Sequence, residues 1–170
     1  PMPSRTVRPD EHDLATDLER ALGTDEIRLE YQPVVRLGNG QVAGAEALAR
    51  WRHPRRGILA PADFVPVAER TGLIDRLGAM VLEQACRTAA GWPRGGGKGY
   101  FISVNVSVAQ LTAVGVPDQI LAVVNAAGLP PASLILEVTN SVGHQGEAVA
   151  RTVTVLREAG VRVALDDFGS

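Results

Sequence analysis

Apolar residues recur every fourth position at Leu14, Leu18 and Leu22, with Gly23 behind them, so the first regular element is predicted to be an amphipathic helix over 13–22. The period then shortens to two. Ile27, Leu29 and Tyr31 alternate with polar neighbours in a predicted strand over 27–37, which the turn residues Gly38, Asn39 and Gly40 close, and a second strand over 41–48 follows. So short a connection predicts an antiparallel pair rather than a crossover. The run from Arg50 to Arg56 reads as a charged loop. A short segment over 62–70 leads to a longer helix over 75–90, whose Leu77, Val81, Leu82, Ala85 and Ala89 share one face. From Tyr100 the pattern becomes regular: a strand over 100–106, a helix over 117–127 opened by Pro117 and stopped by Gly128, a strand over 134–138, a helix over 147–159 ended by Gly160, and a strand over 161–165. Ser107 followed by Gln110 has the form of a capping box for a helical turn between the first two of these. Strands alternating with helices predict an α/β fold with parallel strands.

Composition narrows the picture only a little. A chain of 170 residues, 45% apolar and 21% charged, has the material for one well-buried core. Pro1 to Arg8 is a polar, proline-containing tail, and the expected organisation is a linker over 1–13 ahead of one domain over 14–170. A formal charge of -2 leaves no basic field for duplex nucleic acid or for an anionic membrane surface. No apolar run approaches the roughly 18 residues a membrane span needs. Asp10, Glu11 and Asp13 stand where a signal peptide would be apolar, so the expected location is the cytoplasm, with any membrane anchor in another domain of a parent protein. The single cysteine, Cys86, cannot form an internal disulfide and is expected to pack as a small hydrophobe. The glycine-rich stretch around Lys98 leads into a strand, and Gly99 follows the lysine where a phosphate loop has Ser or Thr; it is expected to be a surface loop.

The candidate chemistry lies at the predicted strand ends. Glu46, Asn105, Glu137 and Asp166 each sit at or beside the C-terminal end of an apolar run, and the last three are spaced by 32 and 29 residues, about one βα unit each. In a parallel barrel the strand C-termini open on one face, where residues distant in sequence converge. Asp166 and Asp167 are adjacent carboxylates after a buried-looking strand. Such a pair persists by binding cations, by pairing with bases or by sharing a proton, unless it only caps the next helix. Carboxylates with an amide oxygen suit hard cations such as Mg²⁺ or Mn²⁺. His12, His53 and His144 share no ligand spacing and are expected at the surface or in loops.

Six stretches carry a resemblance to a known family: YQPVV from Tyr31, GAEALARWRHP from Gly44, FVPVAERTGLI from Phe64, ISVNVS from Ile102, LEVTNS from Leu136 and ALDDFGS from Ala164. In order and over nearly the whole chain, they resemble the successive signatures of the EAL domain, a bacterial family that hydrolyses cyclic di-GMP. The resemblance implies a TIM-like (β/α) barrel with an antiparallel first strand. It also implies that Glu46, Asn105, Glu137, Asp166 and Asp167 hold two divalent ions, that Glu46, Asp166 and Asp167 are catalytic, and that Gln32, Leu48 and Arg50 contact the dinucleotide. Glu69, in the Glu69-Arg70-Thr71-Gly72 loop, would support the metal ligands from behind. Arg52, Arg55 and Arg56 read instead as solvated charges.

The chain departs from the family pattern in two places. Asn140 stands where the family usually has a second glutamate, and the family's later lysine, glutamate and glutamine are not present in this chain. About five strands are predicted against the eight strands and roughly 250 residues of a closed barrel, so the expectation is an incomplete barrel, either part of a longer protein or completed by another chain. The expected activity is hydrolysis of cyclic di-GMP to linear pGpG. The alternatives are an inactive EAL domain acting as a cyclic di-GMP receptor, or a protein-interaction module. The expected partners are cyclic di-GMP, a second copy in a homodimer, and an upstream sensory or diguanylate-cyclase-like domain.

Overall fold

The computed structural model of the protein describes residues 9–93, 99–138 and 146–165. The first helix, α1, spans Pro9–Ala21, opening earlier than its leucine spacing alone predicted. Strand β1 (Ile27–Val35) turns through residues 36–41, where Arg36 N–H donates to the Gln41 carbonyl at 2.9 Å, into the antiparallel strand β2 (Val42–His53). A short strand β3 (Gly57–Leu59) folds back on β2, and helices α2 (Pro61–Thr71) and α3 (Ile74–Ala90) follow. Then come β4 (Phe101–Val106), the single turn α4 (Val108–Leu111), α5 (Val116–Ala127), a 3₁₀ turn over Pro131–Ser133, β5 (Leu134–Val138), α6 (Gly146–Glu158) and β6 (Arg162–Leu165). Ser107 and Gln110 form the predicted capping box, and Gly128 ends α5 with φ 66°, a left-handed conformation that glycine adopts without a Cβ penalty.

The strands form one sheet in the order β1-β2-β4-β5-β6, with β3 attached to β2. The β2–β4, β4–β5 and β5–β6 pairs are parallel, the arrangement predicted from the strand–helix alternation. The sheet is an open part of a TIM-like barrel.

One sequence expectation fails in β2. The charged run from Arg50 was read as a loop, yet β2 continues to His53 and pairs with β3 through Trp51 with Leu59 and His53 with Gly57. The reason is the period-two alternation of a strand. Trp51 and His53 point into the core while Arg50 and Arg52 take the other face, so a half-buried strand presents the composition of a loop.

The chain divides into two compact units, one of residues 1–28 and 49–77 and the other of 29–48 and 78–170. In the first, Trp51 is fully buried, edge-on to Phe64 with ring centroids 5.8 Å apart and tilted against His53 at 4.8 Å. His53 is the second correction: expected at the surface, it is 3% exposed. The Arg55 backbone N–H donates to its Nδ1 at 3.1 Å, so the ring hydrogen sits on Nε2, which lies 3.0 Å from Asp17 Oδ2. The side chain of His12, and all of His144, lie outside the described residues.

In the second unit the alternation divides the sheet into two faces. Ala45, Ala47, Ile102, Val104, Leu134, Leu136 and Val138 are buried on one, and the helices contribute Ala85, Cys86, Ile120, Val124, Val149 and Leu156 to the core. Each fully buried Leu or Ile adds roughly 1.5–3 kcal/mol of transfer free energy. Cys86 packs there as expected, and burial pushes its thiol up to about 11, away from the thiolate that reactivity requires. The other face carries the polar residues of the strands.

Candidate metal and substrate site

Register places the candidate ligands. In parallel strands, paired residues point to the same side of the sheet. Glu46 of β2 pairs with Ser103 of β4, Asn105 of β4 pairs with Glu137 of β5, and Glu137 pairs with Ala164 of β6. Ser103 and Asn105 are two residues apart on one strand, so Glu46, Ser103, Asn105 and Glu137 all lie on the same face. Glycine makes the close β2–β4 approach possible, because a Cβ on Gly44 would lie 2.3 Å from the Phe101 carbonyl oxygen.

Glu46 itself was expected at a strand end, but it sits well inside β2, because the strand runs on to His53. The side chains meet nonetheless. Asn105 Nδ2 donates to Glu46 Oε1 at 2.8 Å, bridging the register offset. The hydrogen bond fixes the amide with its nitrogen toward the carboxylate. Glu46 and Glu137 are half-buried and Asn105 is exposed, so oxygen donors are presented at an accessible surface. Ser103, behind Asn105 on the strand, is fully buried, and its hydroxyl has no hydrogen-bond partner among the described residues. The sequence reading missed it. Its only signal is a hydroxyl inside an apolar strand run.

Leu48 is half-buried and follows Glu46 by two positions, hence on the same face of β2. Gln32 is exposed on β1, on the opposite side of that strand from Tyr31, whose hydroxyl hydrogen-bonds Thr88 of α3 at 2.9 Å. Arg50 and Glu69 belong to the first compact unit. Arg50 is half-buried and its Nη1 donates to the Ala49 carbonyl at 3.0 Å, whereas Glu69 is exposed on α2. Asp166, Asp167 and Asn140 lie outside the described residues.

The donor set fits a hard divalent cation in chemistry: two carboxylates, one amide oxygen and a nearby hydroxyl, with no thiolate or imidazole among them. Among the described residues alone, no three acids, histidines or cysteines cluster closely enough to hold a metal. Among the same residues no helix is long and apolar enough to cross a membrane.

With the antiparallel first strand and the parallel strands after it goes a match to a family model, the EAL domain, over residues 15–170. The chain belongs to the EAL domain family. This EAL domain is 40% identical over 158 residues to the bifunctional diguanylate cyclase/cyclic di-GMP phosphodiesterase MucR of Pseudomonas aeruginosa, covering 92% of this chain and 23% of MucR. It is 36% identical over 155 residues to the cyclic di-GMP phosphodiesterase NbdA of the same species, covering 91% of this chain and 20% of NbdA. Among solved structures, the PaMucR phosphodiesterase in complex with cyclic di-GMP superposes with a TM-score of 0.86 at 40% identity, covering 93% of this chain and 64% of that one. The EAL domain described here therefore spans only about a quarter or less of the length of these curated relatives. The family includes cyclic di-GMP phosphodiesterases, which are hydrolases.

Proposed function

We propose that this EAL domain binds cyclic di-GMP and, within its complete protein, hydrolyses it to linear pGpG with two divalent cations, Mg²⁺ or Mn²⁺. The observation that carries this reading is the Asn105–Glu46 hydrogen bond of 2.8 Å beside Glu137, Asn105's register partner on the next strand. Glu46, Asn105 and Glu137, joined by Asp166 and Asp167, would hold the cations. When bound, these supply an acidified water and neutralise the charge that gathers on the phosphoryl oxygens during displacement.

The chain's own groups have separable tasks. Asn105 Nδ2 donates to one oxygen of Glu46 and not to the other, so the amide orients the carboxylate instead of competing with it. Glu137 sets a second carboxylate beside the amide, and Ser103 offers a hydroxyl behind them. Gln32, Leu48 and Arg50 are assigned to the dinucleotide, Arg50 through a phosphate, for which a guanidinium is well shaped. Glu69 is assigned a supporting role in its loop. An upstream sensory or diguanylate-cyclase-like domain and a homodimer complete the proposal; the much greater length of MucR and NbdA leaves room for such a domain.

The test is cyclic di-GMP hydrolysis by the full protein that carries this chain, in Mn²⁺ or Mg²⁺ and in chelator. Turnover is expected only with metal, and Glu46→Ala is expected to remove it. Full activity in that variant, or turnover in chelator, overturns the mechanism. Metal-independent binding without turnover in the wild-type protein would instead identify a receptor.

A further inference from the structure

A second concavity lies at the opposite end of the sheet. It has a volume of about 680 Å³ and is lined by Arg36, Trp92, Tyr100, Phe101, Ser133 and Arg162 with smaller apolar residues. Phe101 and Arg162 are the first residues of β4 and β6, and Ser133 immediately precedes β5, so this is where the parallel strands begin. Asn105 is four residues further along β4 than Phe101, about 13 Å at the rise of an extended chain, so the two sites are separate along the strands.

The chemistry of the lining is selective. Arg36 and Arg162, both exposed, are among its lining residues, and no acidic residue is among the described residues that line it. Neither Arg36 nor Arg162 forms an ion pair among the described residues, whereas Arg20, Arg55, Arg87 and Arg151 all do. The Arg162 guanidinium carbon stands 5.0 Å over the centre of the Phe101 ring, which holds it in place without neutralising it. Trp92 and Tyr100 meet edge to face with centroids 6.5 Å apart, and Tyr31 also packs edge to face with Trp92 at 6.1 Å. The volume falls within the range of small-molecule sites, where a mostly apolar wall carries a few convergent polar groups.

We infer that this cavity binds a mononucleotide, its phosphate paired with Arg36 and Arg162 and its base laid against Trp92 and Tyr100. Two guanidiniums with no ion pair among the described residues favour a dianionic phosphate, and the ring pair offers a π surface that any planar base can use. Ser133 adds a hydroxyl at the same mouth. This inference stands on its own lining residues and shares none with the proposed cyclic di-GMP site.

The experiment is calorimetric titration of the whole chain with AMP, with adenosine and with inorganic phosphate as separate arms, on the wild type, Arg36→Gln, Arg162→Gln and Glu46→Gln. AMP is expected to bind with a Kd in the micromolar range, and each arginine variant to weaken it by roughly tenfold while circular dichroism is unchanged. Adenosine and phosphate alone are expected to bind much more weakly. Binding of AMP that both arginine variants leave intact overturns the inference, as does no binding at about 1 mM ligand. Phosphate binding as tight as AMP would remove the base from the proposal and overturn it as stated. Loss of AMP binding in Glu46→Gln, or competitive displacement of AMP by cyclic di-GMP, would place the nucleotide at the other end of the sheet and overturn it too. Failure of cyclic di-GMP hydrolysis leaves all these outcomes unaffected.

Discussion

Asp17 and Glu26 in the first compact unit and Glu46 in the second are treated in opposite ways. In the first, Asp17 is held by the Arg55 guanidinium at 2.6 Å and by His53 at 3.0 Å, and Glu26 by Arg20 and by the Trp51 indole N–H at 3.1 Å. Burial by itself would raise the Asp17 carboxyl, but the hydrogen bond and charge of Arg55, followed by the hydrogen bond of His53, outweigh it and hold the group below its ordinary range. Glu26 is lowered first by the Trp51 hydrogen bond and then, against its own burial, by Arg20. In the second unit, Glu46 accepts from a neutral amide, and no cation of the protein pairs with it among the described residues. A carboxylate surrounded by donors and cations is spent on structure, whereas one steadied by a single amide keeps lone pairs for something that arrives from solvent.

The comparison can be broken most forcefully at Trp51. Trp51→Ala empties a fully buried site and strips Glu26 of an N–H donor, so it is expected to cost about 3–5 kcal/mol in urea denaturation of the chain. A cost below about 1 kcal/mol would mean that the first unit is not held by this ring.

Asp17→Asn comes next, at about 1–3 kcal/mol, because it replaces the charged oxygen shared by the buried His53 N–H and the Arg55 guanidinium with a neutral amide and removes the negative charge that the guanidinium pairs with. It also changes the acid response. Asp17 and Glu26 have folded-state values below their ordinary 3.8 and 4.5, so their stabilising contribution is fully present above those values and is lost as pH falls through the lower folded-state values. The wild-type denaturation midpoint is therefore expected to fall on acidification from about pH 6 to pH 3, and the Asp17→Asn variant to fall less steeply. An unchanged slope would show that Asp17 is not one of the groups responsible.

The smallest stability effect is expected at Glu46. Glu46→Gln keeps the side-chain shape and an oxygen for Asn105, so the denaturation midpoint should move by no more than about 0.5 kcal/mol in either direction. Mn²⁺ or Mg²⁺ affinity, followed by titration calorimetry on the complete protein, is expected to drop at the same time. A large loss of stability with unchanged metal affinity would turn the contrast between the units around and make Glu46 a structural acid like Asp17.

How far the chain could be read in advance depended on whether a signal was local. The capping box at Ser107 and Gln110, the glycine stop at Gly128 and the strand–helix alternation after Tyr100 are short-range patterns, and the structure contains each of them. Asn105 and Glu137 were legible as neighbours because a βα unit has a nearly constant length and brings successive strands into register. His53 was not. It stands among four arginines and a tryptophan, and only the pairing of β2 with β3 and the approach of Asp17 from α1 make it a core residue. Ser103 escaped notice for a related reason, since its burial depends on the strands flanking β4.

By itself, then, the sequence determined the order of elements, the parallel sheet, the family and which strand residues carry oxygen donors, because periodicity, caps and motif spacing are written within a few residues of one another. Tertiary structure alone decided that β2 runs through the charged segment, that Glu46 lies within the strand and still meets Asn105, and that Asp17 and His53 share a buried hydrogen bond. Those outcomes depend on register and on contacts across tens of residues, where the free energy of pairing one strand or helix with another outweighs what any local pattern expresses.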